Sequence, residues 1–223
     1  MNTKQTLLAY HNDNAVRQKY LARVELHRQH DQIVKGRYWG DGKGCEVGCI
    51  LHSAKHSAAE TELGIPAWLM RLIDGIFENL PNAEAVNFPG AFLEAIPVGA
   101  DLAPVRDQFL AWLMEDATYG LTHTARDDEI KAIAAEVGRR LRTGEGVTGA
   151  QADELTERLR DAWDARDAWA AWNAWVARDA RAAWDAWDAR AAWDARAAFV
   201  IASRDELLRL LRGCSVANPG ETK

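Results

Sequence analysis

Proline is scarce in this sequence, and most of the second half contains none. Only six of the 223 residues are proline, and none lies between Pro104 and Pro219. Glycine is also missing from residues 150–212. Because proline and glycine are the residues that fit least well inside a helix, these absences predict that most of the second half is helical.

Other absences argue against a membrane protein, a secreted protein and a protein that binds duplex nucleic acid. No run approaches the ~20 apolar residues that a membrane-spanning helix needs, and the first residues lack the basic and apolar regions of a signal peptide. The three cysteines are an odd number, which favours reduced thiols. The net charge is −6, without a basic stripe, which argues against binding of duplex nucleic acid through phosphates. We therefore expect a soluble cytoplasmic protein with no membrane partner.

Helix signals recur along the chain and predict a mainly α fold, a helical bundle. The first helix is expected to begin in the polar cluster 12–14 and to run to about Val34. Pro66 suits the start of another, whose apolar stripe ends before Pro81. A glycine-rich stretch at 144–149 predicts a linker. It separates a helical domain, 1–143, from a long Ala/Trp/Arg-rich helical region, 150–212.

A triplet repeat fills most of that second region. From Arg160 to Ala198 each triplet opens with Trp or Arg and closes with Ala, and seven of the ten tryptophans lie between Trp163 and Trp193. Three residues turn an α-helix by ~300°, so successive triplets spiral around the axis. Tryptophans on every side of a helix need covering. We expect either a broken, hairpinned helical region or a homo-oligomer packed through it.

The first predicted helix carries polar residues on its apolar side. Helical spacing places Arg23, His27, His30 and Asp31 on the same side as Val16 and its apolar neighbours. Polar groups that face inward need partners and are often functional. A histidine hydrogen-bonded to the aspartate four residues later, joining helices, is the structural alternative.

A glycine-rich loop follows, with five glycines among residues 36–48. Successive glycines allow backbone amides to converge on an anion, and basic and aromatic neighbours supply charge and stacking surfaces. The expected ligand-binding residues are Arg23, His27, Asp31, Lys35, Arg37, Tyr38, Trp39 and Lys43. This is not the phosphate-loop signature, because Gly42-Lys43 is followed by glycine. The stretch is also compatible with a short strand at Val47–Leu51.

The segment after the loop has the spacing of metal ligands. Cys45, Cys49, His52 and His56 resemble a zinc set, but on a helix or strand these four are spread too far along the chain to reach one ion. A mixed divalent-metal site joining two helices is the more plausible arrangement. Its expected ligands are His27, Asp31, His52 and His56.

Several of these motifs together resemble a family of uncharacterised proteins from phages and bacteria. The similarity covers roughly residues 20–115, and members often carry a similar helical tail. The motifs are 35–39, 42–45, 47–49, 52–53 and 62–66. The resemblance implies a phage or prophage setting, the cytoplasm of a host cell, and a role in counter-defence. It transfers no activity and no catalytic residue.

Three hypotheses remain open at the level of sequence. One is a binding protein for a small phosphorylated or nucleotide-like ligand, with sequestration of a nucleotide signal of host immunity as its role. Another is a metal-assisted phosphoesterase that uses His27, Asp31, His52 and His56, with Lys43 on the phosphate. The third is a structural protein that oligomerises through its Trp-rich region. Whether the protein is an enzyme stays open.

Overall fold

The computed structural model describes residues 7–125, 128–145 and 189–216. Within them the fold is mainly α, as predicted, with isolated β-bridges as the only β pairing. None of the described helices is both long and apolar enough to cross a membrane. The ten described α-helices are α1 Asn14–Gln29, α2 Glu46–Leu51, α3 Ala58–Leu63, α4 Ala67–Asn79, α5 Asn82–Ala85, α6 Phe88–Ala95, α7 Ala103–Glu115, α8 Leu121–Thr124, α9 Asp128–Thr143 and α10 Ala189–Arg212.

Helix α1 begins as predicted and ends earlier than predicted. Asp13 caps it, and its side chain accepts a hydrogen bond from the amide of Ala15 at 2.7 Å. The predicted end near Val34 is wrong, because the last helical residue is Gln29. The residues from 30 to 34 therefore leave the helix, and those among them that were placed on its inner face lie elsewhere.

A backbone motif at Asp31 explains the early end of α1. The amide of Asp31 bonds to the carbonyl of Arg28 at 3.3 Å, and the amide of Gln32 bonds to that of His27 at 3.0 Å. These two bonds form a Schellman motif, which needs a left-handed residue after the helix. Asp31 supplies it with a φ of 51°, and aspartate is one of the few non-glycine residues that adopt this conformation.

Helix α2 occupies the place of the suggested strand. The segment Val47–Leu51 is helical and every residue of α2 is buried. A short apolar run cannot be assigned to a strand or a buried helix by periodicity alone. The suggestion of a strand at Val47–Leu51 is therefore wrong, and the polar Glu46 enters the interior with the first turn of this helix.

Two prolines lie at helix starts, and the sequence predicted this for Pro66. Pro66 directly precedes α4, whose apolar stripe is buried at Leu69 and Ile73 and along its length. Pro89 lies in the first turn of α6, so the segment from 82 to 95 is divided into α5 and α6. The proline and stripe signals therefore locate the helices that form the core.

The chain divides into two compact units, Met1–Arg106 with Val200–Lys223, and Asp107–Phe199. In the first, α1 packs against α6 and α2, and α2 packs against α4. Its largest fully buried side chains include Tyr10, Leu69, Ile73, Phe77, Phe88 and Phe92. In the second, α8 packs against α9, and the ring of Phe199 lies 6.4 Å from that of Trp112 and 5.6 Å from that of Tyr119.

Most of the repeat lies outside the described residues. Its end is helical, within α10, in agreement with the helix predicted there. The expected burial of the tryptophans between Trp163 and Trp193, and the hairpin or homo-oligomer that would cover them, stay predictions. So does the boundary predicted between residues 143 and 150, most of which falls outside the described part.

Candidate functional site

The end of α1 places His27 against α2. His27 is 6% exposed, and both of its ring nitrogens face a partner. Nδ1 lies 2.6 Å from Oε1 of Gln32, and Nε2 lies 2.8 Å from Nε2 of His52. His27 faces inward as its helical spacing predicted, and of the two histidines expected to lie near it, His52 does so. We call His27 and His52 the histidine pair.

His52 is held in an unusual backbone conformation. It ends α2 in the left-handed region, with φ 52° and ψ 35°, which costs energy for a residue other than glycine. Its ring stacks on Trp39 with the centroids 4.3 Å apart and the planes at 11°. His52 is exposed, whereas His27 is buried. The histidine pair thus connects the interior with the surface.

The surroundings of His52 are positive. Partial burial of the ring lowers the pKa of His52, as do the guanidinium of Arg23 and the ring of His27, while Glu62 acts in the opposite direction. Arg23 donates to the carbonyl of Ile50 at 2.7 Å and lies over the ring of Tyr20, 4.7 Å from its centroid. This fixes a cation beside the histidine pair.

Several amides of the glycine-rich loop already have partners. The amide of Gly36 donates to the carboxylate of Glu78 at 2.9 and 3.0 Å. Gly40 and Lys43 exchange two backbone hydrogen bonds of 3.0 Å. The two residues between them, Asp41 and Gly42, both have positive φ angles, as in a two-residue hairpin turn. The loop is therefore a folded turn, and its observed amide pairings do not form the predicted anion cradle.

The basic residues of the loop are also dispersed. Arg37 pairs with Asp41 at 2.5 Å, and Nζ of Lys35 donates to the carbonyl of Leu80. Burial lowers the pKa of Lys35, with Glu78 acting in the opposite direction. Lys43 is exposed at the turn. Arg37 and Lys35 are thus paired with groups outside the histidine pair.

The two aromatic residues of the loop point to different partners. Trp39 stacks on His52, whereas the hydroxyl of Tyr38 donates to Oδ2 of Asp74 at 3.3 Å. His56 also faces Asp74, with 3.3 Å between Nε2 and Oδ2. The loop therefore separates two sites, one at the histidine pair and one at Asp74.

The four expected metal ligands are not brought together. His27 and His52 form a pair, but His56 belongs to the surroundings of Asp74. Asp31 is exposed after the end of α1, so its expected burial is wrong. The helical spacing that linked it to His27 does not exist, and Gln32 takes its place beside Nδ1.

A different group has the geometry of a metal site. Ligand atoms of Cys45, Asp74 and Glu78 all lie within 4.8 Å of one another, and they form the one such group of three or more found in the described residues. We call these three residues the Cys45 cluster. Cys49 is not in it, because its thiol lies 3.3 Å from the carbonyl oxygen of Gly44. Burial raises the pKa of Cys45 to about 12 and that of Cys49 to about 11.

Buried carboxylate oxygens without hydrogen-bond partners accompany this cluster. Glu46 is 0% exposed, and neither of its carboxylate oxygens has a partner among the described residues; the same holds for Oδ1 of Asp74. Burial raises the pKa of Glu46 well above its usual range, and the charges of Asp74 and Glu78 raise it further. Three acidic groups are thus close together where water does not reach Glu46.

The sequence contained signals for part of this group. Asp74 and Glu78 lie four residues apart on α4, a spacing that places them on neighbouring turns. Glu46 interrupts an apolar run, which marks it as a polar residue entering the core. Nothing local links α4 to Cys45, because their proximity arises from the packing of α2 against α4.

Comparison with known proteins gives no family for this arrangement. No family model, curated protein or solved structure matches the chain. The histidine pair and the Cys45 cluster are therefore the features of the chain that bear on its function.

Proposed function

We propose that this protein binds a small phosphorylated, nucleotide-like ligand at the histidine pair. The observation that carries the proposal is the 2.8 Å hydrogen bond between Nε2 of His27 and Nε2 of His52. With Nδ1–H of His27 donated to Gln32, Nε2 of His27 accepts the hydrogen of His52. A further proton on the other ring nitrogen of His52 leaves this bond intact, so the pair can become a cation without rearrangement.

The local charge favours an anion beside His52. Arg23, whose guanidinium helps to lower the pKa of His52, would attract a negatively charged ligand. A bound anion in turn favours the protonated form of His52. The exposed His52 ring also continues the stack that begins at Trp39, which supports a ligand that carries both a phosphate and a planar base. A nucleotide signal of host immunity has this chemistry.

Lower pH should tighten this binding. Cyclic AMP is the probe, because its phosphodiester keeps one negative charge between pH 5.5 and 8. If the anion raises the pKa of His52, binding takes up a proton. Affinity then rises as pH falls through the pKa that His52 has in the complex, and it levels off below the pKa of His52 in the free protein. The full effect is about tenfold for each pKa unit by which the ligand shifts His52. Calorimetry at several pH values measures it.

His52→Asn tests which residue is responsible. Asparagine tolerates the left-handed backbone at this position, and it should weaken binding by about tenfold and remove the pH dependence. His30→Asn is the matched control, because His30 is an exposed histidine that bonds to the carbonyl of Leu26 in α1. Binding that keeps its pH dependence in His52→Asn, or is absent from the wild type, would overturn the proposal.

A second candidate function is metal-free acid–base cleavage of a phosphodiester, favoured by the position of Gln32. Its Oε1 lies 2.6 Å from Nδ1 of His27, which orients the ring as a partner orients a catalytic histidine. The free ring nitrogen of His52 accepts a proton from the attacking water while the Nε2 proton of His52 passes to His27. The water oxygen bonds to phosphorus, the P–O bond to the leaving group breaks, and the leaving group departs as an alkoxide or phenolate that solvent protonates. Gln32 then stabilises the positive charge on His27.

Turnover of bis(4-nitrophenyl) phosphate tests this candidate. Gln32→Met removes the acceptor and should lower kcat by about 10- to 100-fold, with KM nearly unchanged, because Gln32 does not touch the substrate. Gln29→Met, an exposed position three residues earlier, is the control. Absence of product from the wild type, or equal rates in the two variants, would leave binding as the only role of the pair.

A further inference from the structure

We propose that Cys45, Asp74 and Glu78 bind a zinc ion, at a site separate from the histidine pair. The three residues supply one sulfur and two carboxylate oxygens as ligand atoms, all within 4.8 Å of one another. In a tetrahedral zinc site, Zn–S bonds of ~2.3 Å and Zn–O bonds of ~2.0 Å place such atoms about 3.5 Å apart. Small side-chain rotations therefore suffice to bring them to bonding distance.

The buried oxygens without partners indicate that a positive charge belongs at this place. Buried polar atoms are almost always hydrogen-bonded, so each exception needs a cause. Oδ1 of Asp74, within the cluster, and both carboxylate oxygens of the fully buried Glu46 are exceptions among the described residues. Glu46 follows Cys45 directly and interacts electrostatically with Asp74 and Glu78. A dication bound by the cluster offsets the repulsion among these three acids.

The ligands are already oriented by their neighbours. Oδ2 of Asp74 lies 3.3 Å from the hydroxyl of Tyr38 and 3.3 Å from Nε2 of His56, which leaves the buried Oδ1 for a metal. The carboxylate of Glu78 receives the amide of Gly36. Outer hydrogen bonds of this kind orient the ligands of metal sites. Tyr38, His56 and Gly36 are positioning residues in this scheme.

The donor set selects the metal. A thiolate is a poor ligand for Mg²⁺ or Ca²⁺, which prefer oxygen, and two carboxylates are poor ligands for Cu(I). One sulfur and two oxygens suit Zn²⁺, with the fourth position taken by water. On binding, the S–H bond of Cys45 breaks, a Zn–S bond forms, and one proton passes to the solvent.

The test uses the full chain, stripped with a chelator and titrated with Zn²⁺ against a chromophoric zinc indicator. The wild type should bind one equivalent. Cys45→Ser should bind at least 100-fold more weakly. Cys49→Ser should bind like the wild type, because Cys49 is equally buried and lies in α2, the helix that begins directly after Cys45, but is not a member of the Cys45 cluster. Binding of Co²⁺ should show a thiolate charge-transfer band in the wild type and Cys49→Ser, and none in Cys45→Ser.

If Cys45→Ser fails to fold, two further variants test the same zinc site. Asp74→Asn and Glu78→Gln preserve side-chain shape and should each weaken zinc binding at least tenfold. His52→Asn should leave zinc binding unchanged, so failure here is distinguishable from failure of ligand binding at the histidine pair. No stoichiometric zinc in the wild type, equal losses in the two cysteine variants, or loss only on changing His52 would overturn the proposal.

Discussion

Replacement of Gly48 by alanine is expected to lower the free energy of unfolding by about 3 kcal/mol or more. A Cβ atom built on Gly48 overlaps the carbonyl oxygen of Tyr38, which is backbone and cannot rotate away. The neighbouring backbone is fixed as well, because the amide of Cys45 bonds to the carbonyl of Arg37 at 2.5 Å. Relief of the clash requires the loop to separate from α2.

Urea unfolding followed by circular dichroism measures this effect. Gly90→Ala is the matched control, since Gly90 lies within α6 and a Cβ there has no neighbour within 4 Å. Alanine should be neutral or stabilising at Gly90 by up to about 1 kcal/mol, because it restricts the unfolded chain and favours helix. A Gly48→Ala protein as stable as Gly90→Ala would show that the loop does not cross α2 as described.

The same crossing connects the loop to both candidate sites. Tyr38 lies against Gly44 and Gly48 through its carbonyl, while its hydroxyl reaches Asp74 and the adjacent Trp39 stacks on His52. A shift of the loop therefore moves groups at the histidine pair and at the Cys45 cluster together. Gly48→Ala should weaken nucleotide and zinc binding even where the protein remains folded.

Local patterns predicted the inner face of α1 and not the end of that helix. His27 is buried because it follows the apolar spacing of α1, which is set by residues three and four positions apart. Asp31 was misplaced because the left-handed residue of the Schellman motif is usually glycine, and here it is aspartate. Without a glycine, the sequence lacked the usual signal that the helix ends before Asp31.

The Cys45 cluster could not be predicted from spacing, because it joins segments distant in the chain. The zinc-like spacing of Cys45, Cys49 and the two histidines included one member of the cluster, Cys45. The other three residues of that spacing are not in the cluster. The acidic residues come from α4, and only the packing of α2 against α4 brings them near. Glu46 was the local signal, as a carboxyl group within an apolar run.

Replacement of Glu46 by methionine is expected to stabilise the chelator-treated protein by about 1–3 kcal/mol. Glu46 is fully buried, and its carboxylate oxygens have no hydrogen-bond partner among the described residues. Folding therefore removes their hydrogen bonds to water and does not replace them. Methionine has a similar length, is apolar and adapts to irregular spaces. The removal of one of three neighbouring acids also reduces repulsion with Asp74 and Glu78.

Denaturant unfolding with and without zinc completes this test. Glu94→Met, an exposed glutamate on α6, is the control and should change stability by less than about 0.5 kcal/mol. With zinc bound, the gain from Glu46→Met should shrink, because a nearby dication stabilises the carboxylate that methionine removes. If Glu46→Met is less stable than the wild type in chelator, the buried carboxyl group makes a stabilising contact. That result would contradict its lack of hydrogen-bond partners.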